Sequence, residues 1–393
     1  MTPRAPRFSR GRLIALLLLA AAVLIGVDDP RTIGTTVLFI GILSVLVIVH
    51  EIGHFVVARL FGVRVLEFGI GFPPRAWVLR NVGETLYTLN WLPIGGFVKL
   101  EGEDGNDPHD RRSFSSQGLG RKLIILVAGV LMNVALAAAI FTGIALTGDP
   151  AIGVYVSYVE PGSPADAAGI RAGDVIARVD DTAFGAFGTD SVLGVLRDSA
   201  GRTVTLRLER DASHVDVTAT LRSAADVAAG KGALGIGKVP GLPLEPRATS
   251  DRINYPVDVA IGLGLERTGE AMRLIVDGVG QIGSAIVNRP TEPPPASGPI
   301  GIATQIGDVF WTLGPIVTLY LAGILSANLA IVNILPFPPL DGGRMLVLVI
   351  KRVAGSRLSM RVERLTYVVG FAMLMAFLVW VTGFDIARGL AGG

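Results

Sequence analysis

Residues 32–60 read TIGTTVLFIGILSVLVIVHEIGHFVVARL, a long apolar run that contains ionisable residues. The run is longer than the roughly 20 apolar residues that a helix needs to cross a bilayer, so it predicts a transmembrane helix. Near its C-terminal end it contains His50, Glu51 and His54. Ionisable side chains inside a span are costly in free energy and usually serve a function, so these three residues are the first candidates for a site.

The spacing of these three residues points to a metal site. On a helix, positions i and i+4 lie on the same face, so the imidazoles of His50 and His54 can bind one ion. Glu51 projects beside them and can take a proton from water. Zinc-dependent hydrolysis uses this arrangement, because zinc polarises a carbonyl group and activates water. The alternative is a histidine pair that only packs between helices, which would be costly in lipid without a shared ion.

A catalytic zinc site usually has three protein ligands, and Asp341 is the best third candidate. It lies in the apolar, proline-broken stretch NILPFPPLDGG at residues 333–343. His50 lies ten residues before the end of its span, and Asp341 lies ten residues before a basic segment, so both reach a similar depth if both segments are helical. The alternative role of Asp341 is a helix cap. The other two histidines, His109 and His214, are expected to be solvated surface residues.

The composition of the 393 residues indicates an integral membrane protein. Hydrophobic residues make up 50% and charged residues 17% of the chain, against a usual charged share of about 25%. The mean hydropathy is +0.56. The absence of cysteine excludes disulfides, thiolate metal sites and cysteine nucleophiles. A net charge of +2 is too close to neutral for a nucleic-acid-binding protein.

Five transmembrane segments are expected. The first follows four arginines and is predicted to remain uncleaved, with a cleaved signal peptide as the alternative. The fourth is broken by Pro336, Pro338 and Pro339, whose freed backbone groups favour a protein-lined or wet cavity. The five segments are Leu13–Val27, Thr32–Leu60, Leu123–Leu146, Val309–Ile350 and Leu365–Val381.

Lysine and arginine residues in the short flanks of the spans predict the orientation. Basic residues cluster before the first span and again at residues 351–364. Four crossings separate these clusters, so both are expected in the cytoplasm. Residues 149–308 and the C-terminus are then extracytoplasmic, and the candidate site lies within the bilayer toward the cytoplasmic side.

The extracytoplasmic segment is expected to fold separately from the spans. Residues 151–222 alternate short β-rich runs with turn signals, which predicts a small soluble domain. Polar residues recur at steps of three and four between Val257 and Ile286, which predicts an amphipathic helix packed on that domain or lying on the membrane surface. Residues 290–299 are a proline-rich linker. The chain is therefore divided into 1–31 (arm and extra N-terminal helix), 32–148 (first part of the membrane core), 149–222 (soluble domain), 223–307 (amphipathic helix and linker) and 308–393 (second part of the membrane core).

The His-Glu-x-x-His motif within a span, the late Asn-x-x-Pro-x-x-x-x-Asp-Gly segment and the domain between them resemble the site-2 protease family, in its bacterial RseP-like branch. The resemblance covers about residues 35–385. It implies that His50, His54 and Asp341 bind Zn²⁺ and that Glu51 is the general base. It also implies that Asn333 contacts substrate near the metal, with a hydrogen bond between helices as the alternative.

Residues 92–102, LPIGGFVKLEG, resemble the family's membrane-associated β-hairpin. In the family this edge would hold an extended substrate by strand addition. A helical peptide bond is sterically shielded, so a substrate has to unwind and find partners for its freed backbone groups. The residues expected to serve this role are Gly95, Gly96, Phe97 and Val98. Residues 129–133, GVLMN, resemble a family motif in the next span, and Asn133 is expected to be structural.

The extracytoplasmic domain resembles a PDZ module in residues 161–170 and 172–176. By this resemblance, backbone amides near Ile152, Gly153 and Val154 would receive a peptide C-terminus. A size filter is the alternative role of the domain. The expected fold class is a mainly α-helical polytopic membrane protein with a membrane-associated β-hairpin region and one extracytoplasmic PDZ-like α+β domain.

The resemblance implies a Zn²⁺-dependent endopeptidase of the bacterial inner membrane that cuts the transmembrane segments of single-span proteins. The expected substrates have been shortened by a site-1-type protease, as with an anti-sigma factor or a remnant signal peptide. A membrane PDZ scaffold is a rival, but a scaffold has no need of Glu51. A zinc or proton transporter is a second rival, but residues 35–49 offer only two threonines and one serine as polar groups for an ion path.

Overall fold

The computed structural model describes residues 30–103, 110–185, 192–211, 213–237, 246–289, 294, 296–354 and 360–391. The predicted first span, Leu13–Val27, and His109 lie outside these residues. The described part divides into two compact units. The first unit comprises the described residues within 1–139, 268–307 and 321–393, and the second comprises those within 140–267 and 308–320.

Among the described residues, long apolar helices lie before and after a β-rich middle part of the chain. The helices are α1 (Pro30–Leu60), α2 (Leu119–Thr147), α3 (Pro164–Ala167), α4 (Val192–Asp198), α5 (Ala224–Ala228), α6 (Val257–Asn288), α7 (Pro299–Leu313), α8 (Pro315–Ile334), α9 (Asp341–Ala354) and α10 (Met360–Ala391). The strands are β1 (Val65–Val82), β2 (Thr85–Leu100), β3 (Asp149–Tyr155), β4 (Tyr158–Val159), β5 (Val175–Val179), β6 (Thr182–Ala183), β7 (Thr203–Arg210), β8 (Ser213–Thr220), β9 (Ile236–Gly237) and β10 (Pro246–Ile253).

Four helical segments of the described residues are long and apolar enough to cross a membrane. They are Pro30–Leu60, Leu119–Thr147, Pro315–Ile334 and Leu365–Arg388. Large apolar side chains on α1 are exposed, with Val37 at 65% and Val45 at 55%. Such exposure is unfavourable in water and expected toward lipid tails. The second, third and fifth predicted spans coincide with these helices.

The fourth span differs from its predicted limits of Val309–Ile350. α7 ends at Leu313, and Gly314 follows with a φ of +87°, which lies outside the helical region and favours glycine. α8 then runs to Ile334, and residues 335–340 are not helical because their prolines lack amide donors and fix φ. Within this predicted range, α8 is the helix long and apolar enough to cross a membrane, and α9 is a separate helix of 14 residues.

In the first unit, α1 and α2 approach each other closely around Gly53. A Cβ atom at this position would overlap the backbone carbonyl of Ala128 and lie 2.7 Å from Cγ of Met132. Gly53 is the fourth residue of the His-Glu-x-x-His motif, so the motif faces α2. The close packing fixes the histidine-bearing turn against the second span.

The predicted β-hairpin region is a longer, folded pair of antiparallel strands. Residues 67–70 of β1 pair on one side with residues 86–89 of β2 and on the other side with residues 96–99. Residues 75–82 of β1 pair only with the first part of β2. In this register, residues 96–99 form one outer edge of the sheet, and residues 75–82 form the other. Gly71 and Gly95, with φ values of +78° and +76°, allow the backbone turns that produce it.

The loop between α8 and α9 is held by glycines that allow backbone contact. A Cβ atom at Gly342 would overlap the carbonyl oxygens of Ile334 and Leu335, and one at Gly370 of α10 would overlap the carbonyl of Pro338. Asp341 is the first residue of α9, directly after this loop. The packing of the loop therefore fixes the position of the Asp341 side chain.

In the second unit, a sheet forms around the predicted strands. Among the described residues its order is β10-β3-β5-β7-β8, with β6 paired to β5. Burial alternates along β7, with Val204, Leu206 and Leu208 inside, as expected for a half-buried strand. The predicted strands at residues 175–179, 203–208 and 215–220 match β5, β7 and β8, whereas the run at 154–159 is split between β3 and β4.

The predicted boundary of this domain at residue 222 is wrong. Ala233 and Leu234 lie in its hydrophobic core, at 8% and 1% exposure. Strand β10 (Pro246–Ile253) pairs with β3 and is part of the same sheet. The sequence of residues 223–253 is rich in glycine and alanine and lacks a clear period, so the pattern could not indicate these additions.

A buried ion pair and a tyrosine hydroxyl connect three elements of the second unit. Nη2 of Arg267 on α6 donates to Oδ2 of Asp149 at 2.6 Å, and its Nη1 lies 2.5 Å from the hydroxyl oxygen of Tyr320. The Tyr320 hydroxyl donates to Oδ1 of Asp149. Asp149 and Tyr320 are 0% exposed and Arg267 is 8% exposed. The carboxylate therefore depends on these two donors for compensation.

Replacing Arg267 by methionine is expected to destabilise the folded protein strongly. The change keeps the apolar stem and leaves the Asp149 carboxylate buried without a counter-ion, which typically costs about 3–5 kcal/mol. The measurement is thermal unfolding of the full chain in detergent micelles. Arg273→Met, at an exposed position of the same helix, is the control and should change stability by less than about 0.5 kcal/mol. Equal melting temperatures for the two variants would contradict the role of the pair.

Candidate metal centre

Three side chains from two separated segments meet in the first unit. Nε2 of His50 lies 2.9 Å from Oδ2 of Asp341, and Nε2 of His54 lies 3.2 Å from the same oxygen. The two Nε2 atoms are 3.1 Å apart. His50, His54 and Asp341 are 5%, 7% and 9% exposed. Their grouping could hold a metal ion.

The distances fit a divalent cation of zinc size. Ligands at about 2.0–2.1 Å from a tetrahedral ion lie roughly 3.3 Å from one another. The three observed ligand separations, 2.9, 3.1 and 3.2 Å, are close to this value. Two imidazole nitrogens and one carboxylate oxygen are also a ligand set that zinc accepts in hydrolytic enzymes. The residues therefore fit the ion in both geometry and chemistry.

The contact made by Nδ1 of His54 determines which ring nitrogen can bind a metal. Nδ1 of His54 lies 2.8 Å from the backbone carbonyl of Ile125 on α2. A carbonyl only accepts hydrogen bonds, so Nδ1 carries the proton in this contact. In the neutral ring the lone pair is then on Nε2, which points at His50 and Asp341. Metal-binding histidines typically make a contact of this kind with their other nitrogen.

Helix α2 comes close enough to the cluster to exclude any side chain at Gly129. A Cβ atom there would lie 2.5 Å from Nε2 of His54 and 2.7 Å from Nε2 of His50. One turn later, Asn133 is fully buried, and its Nδ2 lies 3.2 Å from Nδ1 of His50. The sequence indicated a motif at these residues and predicted only a structural role for Asn133. The structure locates both against the histidines.

A cavity of about 400 Å³ opens beside the three ligand atoms. Glu51, Asn333, Gly96, Phe97 and Val98 line it together with His50, His54 and Asp341. A Cβ atom at Gly96 would lie 3.7 Å from Cγ of Glu51, so the outer edge of the sheet runs directly beside the glutamate. The cavity therefore brings the predicted metal ligands, base and strand edge into one space.

The remaining member of the predicted edge, Gly95, lies at a bend next to the cavity. A Cβ atom at Gly95 would lie 2.8 Å from the Phe72 ring and 3.4 Å from Val47, and Phe72 and Val47 both line the cavity. Its φ of +76° makes it a turn residue.

Two charged lining residues were not predicted from the sequence. Arg344, one turn after Asp341 on α9, donates to a carboxylate oxygen of Glu103, which follows β2. The backbone amide of Leu100 also donates to Glu103, at 3.2 Å. Ion pairs between residues 241 positions apart leave no local signal in a sequence. The pair ties the end of the sheet to the aspartate-bearing helix.

The predicted peptide loop of the second unit lies inside the sheet. The amide of Ile152 donates to the carbonyl of Phe184 at 2.7 Å. Gly153 and Val154 are paired with β10, and Val154 is also paired with β5. A peptide could therefore add along β3 here only by displacing β10. His214 lies on β8 in this unit, 3.2 Å from the Ser250 hydroxyl.

Comparison with known proteins identifies the family. The family model described as Peptidase family M50 matches residues 38–377 of the chain. The chain belongs to the M50 peptidases, the site-2 protease family. A Clostridium perfringens (strain 13) relative, provisionally named a zinc metalloprotease, is 32% identical over 87% of this chain and 96% of its own length. Zinc metalloprotease RasP of Shouchella clausii (strain KSM-K16) is 26% identical over 90% of this chain and 99% of its own length.

This membership agrees with the described geometry. As an M50 peptidase, this protein is a zinc metalloprotease and a multi-pass membrane protein. The group formed by His50, His54 and Asp341 could bind the metal. The matched range of 340 residues, 38–377, includes both helices that carry the group.

Proposed function

We propose that this M50 peptidase cuts the transmembrane segments of single-span proteins within the bilayer. The observation that carries the proposal is the convergence of the His50, His54 and Asp341 ligand atoms in the wall of a cavity that Glu51 and a strand edge also line. The segments that bear these ligands lie in or next to apolar helices long enough to span a membrane. A substrate would therefore be cut where its own apolar segment lies.

His50, His54 and Asp341 would hold a zinc ion, and Glu51 would be the general base. A zinc ion bound there would supply Lewis-acid polarisation of the scissile carbonyl and of the attacking water. The Glu51 carboxylate takes a proton from that water and returns it to the leaving amine. The position of Glu51 in the cavity, with Gly96 close to its Cγ, supports this role.

The outer edge of the sheet binds the substrate in extended form. Gly96, Phe97 and Val98 line the cavity, and Gly95 forms the bend that precedes them. Among the described residues, their segment pairs with β1 on one side only, and the other side could accept an added strand. Asn333, on α8, also lines the cavity and contacts the substrate near the metal.

The enzyme resides in a bacterial inner membrane with its N-terminus in the cytoplasm. Basic residues near Lys351 and at the N-terminus support this orientation.

The sheet domain of the second unit is then extracytoplasmic and PDZ-like. Occupation of the strand edges at Ile152–Val154 favours a size filter over peptide binding. Substrates trimmed by a site-1-type protease, such as an anti-sigma factor or a remnant signal peptide, would pass such a filter.

The test is cleavage of a panel of single-span peptides by the purified full chain in lipid vesicles. Products are read by mass spectrometry, with and without a zinc chelator and after zinc is added back. We expect cuts inside the apolar segment that stop with chelator and return with zinc. Cuts confined to residues outside the apolar segment, or cleavage that persists in chelator, would contradict the proposal. Zinc flux measured in the same vesicles distinguishes the proposed peptidase from a zinc transporter.

A further inference from the structure

Asn133 has an unusual environment for a structural asparagine. Its side chain is 0% exposed, and its Nδ2 lies 3.2 Å from Nδ1 of His50. Among the described residues, its Oδ1 has no hydrogen-bond partner. A buried carbonyl oxygen without a partner costs about 1–3 kcal/mol. Its backbone is held separately, because the Ser326 hydroxyl donates to the Asn133 carbonyl at 2.8 Å.

The orientation of the Asn133 amide is coupled to the tautomer of His50. If Nδ2 donates to Nδ1 of His50, a neutral ring carries its proton on Nε2 and cannot offer that nitrogen to a metal. Rotating the amide by 180° exchanges oxygen and nitrogen at almost unchanged positions. Oδ1 then accepts from Nδ1–H, and the Nε2 lone pair faces His54 and Asp341.

Helix α2 already provides the equivalent contact for the other histidine. The carbonyl of Ile125 accepts from Nδ1 of His54 at 2.8 Å. Ile125, Gly129 and Asn133 are spaced by four residues and lie on one face of α2. Gly129 leaves room for the rings between the two acceptors. One helix face would thus orient both imidazoles.

We propose that Asn133 is a positioning residue of the metal centre. Its side-chain carbonyl accepts a hydrogen bond from Nδ1–H of His50 and keeps Nε2 of His50 available to a divalent cation. The inference rests on the proposed function, since it takes His50 as a ligand. Asn133 itself touches neither substrate nor metal.

The test compares zinc affinity of the full chain and three variants by competition with a chromophoric chelator. Asn133→Leu removes the acceptor at similar volume, and its zinc dissociation constant should rise about 10–100-fold. Asn133→Asp keeps the shape and offers only acceptor atoms, so it should bind zinc at least as tightly as the unchanged chain. Ser326→Ala removes the contact to the Asn133 backbone and controls for helix packing, with unchanged affinity expected.

The outcomes separate this inference from the proposed function. If the unchanged chain and Asn133→Leu bind zinc equally, the positioning role is wrong while the metal site stands. A loss of affinity of tenfold or more in Asn133→Asp would also overturn it, because that result would identify the amide as a donor. This second variant decides the question even if Asn133→Leu does not fold. If the unchanged chain binds no zinc, the proposed function fails and takes this inference with it.

Discussion

Replacing Glu51 by glutamine should lower peptide cleavage by about 10²–10⁴-fold, the usual contribution of a general base. The amide has nearly the same shape as the carboxylate but cannot take a proton from water. Glu51 is not one of the three clustered ligand residues, so zinc content should be unchanged. The measurement is the cleavage rate of a single-span peptide, together with zinc analysis of the same preparation.

Glu103→Gln is the matched control for this change. Glu103 lines the same cavity, but its carboxylate pairs with Arg344 and is not expected to act in proton transfer. Its effect on the rate should be much smaller than that of Glu51→Gln. Full activity of the Glu51→Gln protein would remove Glu51 as the base.

A single methyl group at Gly129 should abolish both metal binding and cleavage. In Gly129→Ala the added Cβ would lie 2.5 Å from Nε2 of His54 and 2.7 Å from both Cε1 and Nε2 of His50. Real Cβ atoms do not approach other heavy atoms so closely, so the rings or the helix have to move. Displacement of the ring nitrogens would break the ligand geometry. Zinc content and cleavage rate report the effect.

The control on the same helix is Gly143→Ala, where a Cβ atom would meet no atom within 4 Å. Alanine is a better helix former than glycine by up to about 1 kcal/mol, so this variant should be as stable as the unchanged chain or more stable. A Gly129→Ala protein with normal zinc content and activity would mean that α2 does not approach the histidines as described.

The parts of the site that follow helical periodicity could be predicted from the sequence. His50 and His54 share a face because they are four residues apart, and they meet in the structure. The pairing with Asp341 used the assumption that residues 341–351 are helical, and α9 covers them. Residue counts placed the two segments at a similar depth, but that estimate relied on one continuous fourth span, which the structure divides into α8 and α9.

The contribution of α2 could not be predicted in the same way. Gly129 is important because it lets α2 approach the histidines of α1 closely. Asn133 is important because it contacts the side chain of His50, which is 83 residues away in the sequence. Neither effect leaves a periodic signal in the local sequence. The ion pair between Glu103 and Arg344 was not expected for the same reason.

The strands, too, could be predicted where the pattern is local, but not where they depend on tertiary contacts. Alternation predicted β5, β7 and β8, whereas the additions at Ala233, Leu234 and β10 depend on pairing with distant strands. In the first unit, the outer edge at residues 96–99 arises from the double pairing of residues 67–70, which a hairpin pattern does not reveal. Substrate binding at that edge stays a prediction.

A metal site built from α1 and α9 is tested most directly by the zinc content of Asp341→Asn after dialysis against a chelator. We expect one zinc per chain in the unchanged protein and a loss of affinity of at least about 100-fold in the variant, more than the removal of an outer hydrogen-bond partner would cause. His214→Ala, in the second unit, should keep its zinc. An Asp341→Asn protein that retains zinc as firmly as the unchanged chain would contradict a metal site shared between the two helices.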